Sequence, residues 1–217
     1  MKFRRRLCFY AFFGIVLILF CESHSIAMPV FDSNKSFEYL KKQCYFGPRP
    51  PSSIAHTKTK DYLASELKKY ANSIVLQNFT CKIGENTLNL TNIIAIFGPN
   101  ADRKILLSAH WDTRPSADKE ADKEKRNQPI IGANDGASGV AVLLELARLF
   151  HSEPPPVKII MVLFDGEDYG KKSSEMFLGS RYFARNIRPE WSPEYGILLD
   201  MIGDKNLDKY SPGEIMY

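Results

Sequence analysis

Three short apolar runs, at 105–107, 157–164 and 196–199, limit the fold of this chain more than any other feature. Each has the length and composition of a strand buried on both faces. Between the first two lies GVAVLLELARLF at 139–150, a helix apolar on nearly every side, and 174–186 reads as another helix between the second and third. Such alternation specifies an α/β sheet with mainly parallel central strands. Upstream, 75–83 and 87–97 read as strands joined by a tight Gly84-Glu85-Asn86 turn, an antiparallel hairpin at one edge. Two helices precede the hairpin, at 33–43 and 57–70, the second with Tyr62, Leu63 and Leu67 on one side. Gly47-Pro48-Arg49-Pro50-Pro51 separates them as a rigid, extended breaker. The charged run ADKEADKEKR at 117–126 reads as a solvated loop or short helix.

The 44% hydrophobic and 25% charged composition excludes disordered, collagenous and many-pass membrane classes. Formal net charge is +4, but residues 1–27 hold Lys2, Arg4, Arg5 and Arg6 against Glu22 alone, which leaves about +1 for the rest of the chain. That balance excludes a general nucleic-acid binder, whose affinity rests on concentrated Lys and Arg. The basic start, the apolar run at 7–20 and Ser25-Ile26-Ala27 form the pattern of an export signal. At 14 residues the apolar run falls short of the roughly 20 that a membrane span needs, so cleavage is expected and a retained anchor is the alternative. The expected organisation is a signal at 1–27 and one exported domain, periplasmic or secreted, at 28–217. Cys8 and Cys21 leave with the signal. Cys44 and Cys81 remain, paired or free, without the C-x-x-C spacing of a zinc ribbon or a redox motif. Asn78-Phe79-Thr80 and Asn89-Leu90-Thr91 match the glycosylation triplet, which matters only in a eukaryotic secretory host.

The chemistry sits where the apolar runs stop. The first leads into His110-Trp111-Asp112, the second into Asp165-Gly166-Glu167-Asp168, and the third into Asp200. A further acid, Asp135, lies in Gly132-Ala133-Asn134-Asp135-Gly136 at the entrance of the buried helix. The carboxyl ends of parallel strands share one rim, where ligands bind in open α/β sheets. One histidine and several carboxylates therefore converge in one crevice, and a divalent cation relieves their repulsion and desolvation; zinc suits these donors. Glu167 and Asp168, adjacent in an extended stretch, point to opposite sides, so one can bind metal while the other moves protons. Asp112 can support His110 from behind. His56 is expected to cap or pack, and His151 ends a helix. Trp111 is packing or pocket wall, and Trp191 packs in a loop.

The stretches His110-Trp111-Asp112-Thr113-Arg114-Pro115 and Gly132 to Gly139 resemble the zinc aminopeptidase and glutaminyl cyclase superfamily. Phe164-Asp165-Gly166-Glu167-Asp168, Leu178-Gly179-Ser180-Arg181 and Leu198 to Gly203 continue the likeness in the same order, and Phe46-Gly47-Pro48-Arg49 and Ala55-His56 also fit. The likeness covers 36–204. The D-G-E-D form and Gly-Ser-Arg-Tyr-Phe-Ala are closer to glutaminyl-peptide cyclotransferases than to aminopeptidases. The fold it implies is a three-layer α/β/α mixed sheet of the zinc exopeptidase type.

Carried over by motif, the resemblance makes Asp135 and Asp168 zinc ligands and Glu167 the catalytic acid/base. In aminopeptidase-like members His110 and Asp200 would hold a second zinc bridged through Asp135. In cyclase-like members they stay near the metal without binding it, and Asp200 joins the proton-handling network. One zinc and two zincs both remain open. The resemblance further implies a histidine ligand on a later loop, and none lies between Gly203 and Tyr217. The expectation is a family member incomplete at its C-terminus, with sheet surface uncovered and a tendency to aggregate. Asp135 and Asp168 alone are two carboxylates without an imidazole, whereas His110, Asp135 and Asp200 are a full catalytic set of three, so metal is expected at the His110 position. The implied activity is cyclisation of N-terminal glutamine with release of ammonia; the alternatives are an aminopeptidase and an inactive homologue. The expected partners are peptide or protein N-termini, no nucleic acid, and a membrane only through an uncleaved signal. A monomer is expected.

Overall fold

The structure, a computed structural model, describes residues 29–203. The signal, its boundary at 27/28, Cys8 and Cys21 lie outside the described residues. Helix α1 spans Ser33–Tyr45 and starts on Asp32, whose side chain accepts the Lys35 N–H. Helix α2 spans Ile54–Lys68. It begins three residues earlier than the apolar pattern indicates, because Ser53 caps it by accepting the His56 N–H at 3.0 Å. Strands β1 (Ser73–Ile83) and β2 (Asn86–Phe97) form the antiparallel hairpin, with Gly84 at φ 57° in its two-residue turn.

Strand β3 (Lys104–His110), helix α3 (Ala137–Ser152) and strand β4 (Lys158–Phe164) follow, then helix α4 (Leu178–Arg185) and strand β5 (Tyr195–Leu198). The sheet order is β1-β2-β4-β3-β5. β2 runs antiparallel to β4, while β4, β3 and β5 are parallel. His110 pairs with Phe164 and Ser108 with Leu198, so the three parallel strands end at one rim.

Alternation along the strands fills two layers. Ile93, Ala95, Phe97, Ala109, Ile159, Met161 and Leu163 pack in one buried cluster with Tyr39 of α1, Leu63 and Leu67 of α2, and Leu143 and Leu144 of α3. Ile94, Ile160, Val162 and Phe164 pack on the opposite face with Phe183 of α4 and Trp191. The result is the expected three-layer α/β/α mixed sheet.

Three expectations are corrected. β5 is not buried on both faces: Tyr195, Ile197 and Leu198 are 51%, 46% and 59% exposed. Among the described residues it is the outermost strand and pairs only with β3. The helix read at 174–186 is broken into a 3₁₀ turn at Ser173–Glu175 and α4. Its break has a backbone cause. The N–H groups of Phe177, Leu178 and Gly179 donate to the carbonyls of Glu167, Gly166 and Asp165, and Phe177 takes φ 58° to reach them. Residues 165–168 are likewise a turn rather than an extended stretch, with Gly166 at φ 65°. Cys44 and Cys81 are both free. The 117–126 run forms exposed turns, as a solvated loop should.

Gly139 brings α3 against the segment that follows β5. A Cβ there would run into the Leu199 carbonyl oxygen and lie 3.1 Å from the Ala109 Cβ. Gly139→Ala should therefore destabilise the protein by about 1–3 kcal/mol, the usual cost of overpacking. Denaturant unfolding measures it, and an unchanged midpoint would show that the Leu199 backbone yields freely.

Candidate metal centre

His110 ends β3 and is 2% exposed. Its Nε2 lies 2.8 Å from Asp135 Oδ1 and 3.5 Å from Asp200 Oδ1, and its Nδ1 lies 3.4 Å from Asp112 Oδ1. None of these approaches has hydrogen-bond direction, so both ring nitrogens are buried without a hydrogen bond. One ligand atom each from His110, Asp135 and Asp200 falls within 4.8 Å of the other two. An imidazole nitrogen and two carboxylate oxygens facing a common point, with no hydrogen bond between them, fit a divalent cation. Burial disfavours a charged imidazole, but the three surrounding carboxylates outweigh it and hold His110 well above its ordinary range.

Local structure explains the convergence. Gly136, at φ 86°, lets the loop carrying Asp135 pass close to β3: a Cβ there would lie 3.0 Å from His110 Cε1 and 2.9 Å from the Asp112 carbonyl. Ser138 Oγ donates to the Asn134 carbonyl at 2.6 Å and accepts the Ile202 N–H at 3.2 Å. Asn134 Oδ1 accepts the Gly203 N–H at 2.8 Å. Those bonds stitch the segment carrying Asp200 to the loop carrying Asp135.

The turn after β4 carries the other two predicted residues. Asp112 is fully buried, and its two carboxylate oxygens accept the N–H groups of Glu167 (3.0 Å) and Asp168 (3.2 Å). Burial would raise its pKa, but His110 and the two N–H donors outweigh that, so it stays ionised. Burial pushes Glu167 up to about 7; His110 opposes this, while Asp112, Asp168 and Asp200 add to it. Asp168 is pushed up to about 6, mainly by burial and then by Asp135. Its carboxylate pairs with Arg114, which also holds Asp118. His110, Asp135 and Asp200 are thus gathered, Glu167 is placed beside them, and Asp168 is held by a cation of the protein.

Sequence reasoning missed Arg114 as the partner of Asp168, although the residue lies within the His110 motif. It also missed a buried support behind the turn. His56 Nε2 lies 2.8 Å from Asp165 Oδ1, and Asp165 Oδ2 accepts the Thr91 N–H at 2.7 Å. His56 stacks on Trp111 with ring centroids 4.3 Å apart, so its packing role is as expected. His151 is exposed and packs against Tyr70, and Trp191 is buried in its loop.

Asp112→Asn keeps the shape but leaves only one acceptor oxygen for two N–H groups. It should weaken zinc binding by about 10–100-fold, as loss of a group that orients metal ligands does. Competition with a chromophoric chelator measures this, and wild-type affinity would separate the Asp112 cradle from the metal centre.

Known proteins share this fold. The chain is similar to a Zn-dependent exopeptidase from Parabacteroides distasonis, with 40% identity and a TM-score of 0.79 over 83% of this chain and 65% of that one. It is likewise similar to a glutaminyl cyclase from Tannerella forsythia, with 39% identity and a TM-score of 0.78 over 82% and 64% of the two chains. Among curated proteins, the glutaminyl-peptide cyclotransferase of Drosophila melanogaster is 27% identical over 181 residues, 76% of this chain and 47% of the relative. The chain spans about half the length of the curated relatives it matches. The model of peptidase family M28 matches residues 92–214, from the strand that flanks the sheet centre to beyond Asp200. That match takes in every residue of the His110 cluster and of the D-G-E-D turn, and the chain belongs to peptidase family M28.

Proposed function

We propose that this chain carries the zinc-dependent chemistry of a glutaminyl-peptide cyclotransferase, forming pyroglutamate at the N-terminus of peptides. The observation that carries the reading is Glu167, a carboxyl held by the Asp112 cradle on the turn after β4, pushed up to about 7 by burial and within the field of His110, Asp112, Asp168 and Asp200. A group with that pKa both accepts and returns a proton near neutral pH. Similarity to glutaminyl cyclases supports the choice of substrate.

Zinc bound at the rim would polarise the side-chain carboxamide of an N-terminal glutamine. The peptide's own α-amine forms the new bond to that carbon, and the carbon–nitrogen bond of the carboxamide breaks. Glu167 takes the proton from the attacking amine and delivers it to the departing nitrogen, which leaves as ammonia. Asp112, through the Glu167 N–H, fixes the turn on which this proton moves. Asp200, beside His110, belongs to the same proton-handling group in this reading, and His110, Asp135 and Asp168 are the metal ligands. In this reading its substrates are peptide or protein N-termini, as the similarity to glutaminyl cyclases supports, it acts as a monomer, and its basic and apolar start supports export.

A second reading, a metallo-aminopeptidase, is favoured by one observation. His110, Asp135 and Asp200 are gathered as a complete three-ligand set, as a second zinc site requires.

Gln-initiated peptides should yield pyroglutamyl peptides and ammonia. Release of free residues from Leu- or Ala-initiated peptides instead selects the aminopeptidase. Glu167→Gln should retain zinc while lowering turnover by about 10²–10⁴-fold; zinc loss as large as that of Asp168→Ala would reverse the two roles. Zinc bound by this chain should depend on His110, so metal analysis of His110→Ala should show it gone. Stoichiometric zinc in that variant would place the metal elsewhere.

A further inference from the structure

Arg49 lies in the Gly47-Pro48-Arg49-Pro50-Pro51 segment and is fully buried. Its guanidinium is held by main-chain carbonyls. Nε donates to the Trp111 carbonyl at 3.0 Å, Nη1 to the Ile131 carbonyl at 2.7 Å, and Nη2 to the Gly132 carbonyl at 3.0 Å. The Arg49 backbone is tied to the same region: its N–H donates to Thr113 Oγ1 at 2.8 Å, and its carbonyl accepts the Thr113 N–H at 3.3 Å.

Burying a guanidinium among neutral acceptors is costly, and an apolar side chain of similar volume would fill the space without that cost. What the guanidinium alone supplies is a planar fork that reaches three acceptors at fixed angles. Those acceptors belong to two segments. Trp111 follows His110 directly, and Gly132 precedes Asp135 by three residues. The connection between the segments, from 113 to 131, passes through the exposed turns at 117–126 and contains no helix or strand. The covalent path therefore does little to fix the distance between His110 and Asp135, and the Arg49 fork spans it directly.

We propose that Arg49 is a positioning residue of the metal centre, clamping the His110 strand end to the Asp135 loop so that the two ligands converge. The inference rests on the zinc reading given above. It has a sign that separates it from simple electrostatics. A buried cation near the site repels a divalent cation, so if charge were its whole effect, removing it would tighten zinc binding. A clamp predicts the opposite. It also predicts that lysine, which keeps the charge but loses the fork, fails to substitute.

The test is zinc affinity of the full chain by chelator competition, at a temperature well below the melting point of each protein in EDTA. Wild type, Arg49→Lys and Arg49→Met are compared, with far-UV circular dichroism as the check on folding. Both variants are expected to bind zinc about 10–100-fold more weakly, the range seen when groups that orient ligands are lost. Wild-type affinity in Arg49→Lys, or tighter binding in Arg49→Met, overturns the proposal. Should Arg49→Met fail to fold, Thr113→Val takes its place: it removes the acceptor of the Arg49 N–H and leaves the charge. A several-fold loss is then expected, and wild-type affinity in both Thr113→Val and Arg49→Lys overturns the clamp. A wild-type chain that binds no zinc overturns the zinc reading itself and the clamp with it, a result distinct from variants that bind as wild type does.

Discussion

The fully buried carboxylate of Asp112 is the interaction on which the site depends. It accepts the N–H groups of two consecutive residues, Glu167 and Asp168, and lies against Nδ1 of His110. A buried carboxylate without donors would be pushed toward its neutral form, and without this one the turn after β4 would present two buried N–H groups to nothing. Glu167 and Asp168 are therefore fixed from beneath by an acid that itself stays ionised. The carboxyls of Glu167 and Asp168 are pushed the other way, to about 7 and about 6, mainly by burial. The same chemical group thus plays opposite parts a few ångströms apart, according to the number of donors it meets.

Crowding of acids at one rim has a counterpart in how the rim is cross-tied. Asn134 and Ser138 join the Asp135 loop to the segment after Asp200. Arg114 engages Asp168, and His56 with Asp165 braces the turn from the α2 side. Apart from the local bond from Ser138 to the Asn134 carbonyl, each tie runs from a side chain to a distant backbone or side-chain group, so the ligand-bearing segments are fixed relative to one another.

The strand ends were legible in the sequence because apolar runs buried in a parallel sheet must stop where polar residues begin. His110, Glu167, Asp168 and Asp200 could be read from that boundary, and Asp135 from the entrance of the buried helix. The helix at 174–186 was misread because its interruption comes from a tertiary demand: three backbone N–H groups are spent on the carbonyls of 165–167, and no local propensity encodes that. β5 was misread for a related reason. Its apolar residues suggest burial on two faces, but burial depends on what lies beside a strand, and its composition carries no such information. Arg49 was legible only as part of a rigid breaker and of the family likeness, because the three carbonyls that receive its guanidinium lie more than sixty residues away and only the fold brings them to it.

The exposure of β5 bears on how quickly a bound ion could leave. Asp200 follows a four-residue strand that, among the described residues, bonds only to β3, while His110 ends a buried strand and Asp135 stands just before the buried helix α3. Local opening is cheapest where few apolar contacts are lost. Fraying of β5 would withdraw Asp200 from the cluster and leave His110 and Asp135 in place with the core intact. Exchange of an ion at this rim would then follow the opening rate of an edge strand, well ahead of global unfolding, and hydrogen exchange at Leu199 and its neighbours would report the same event.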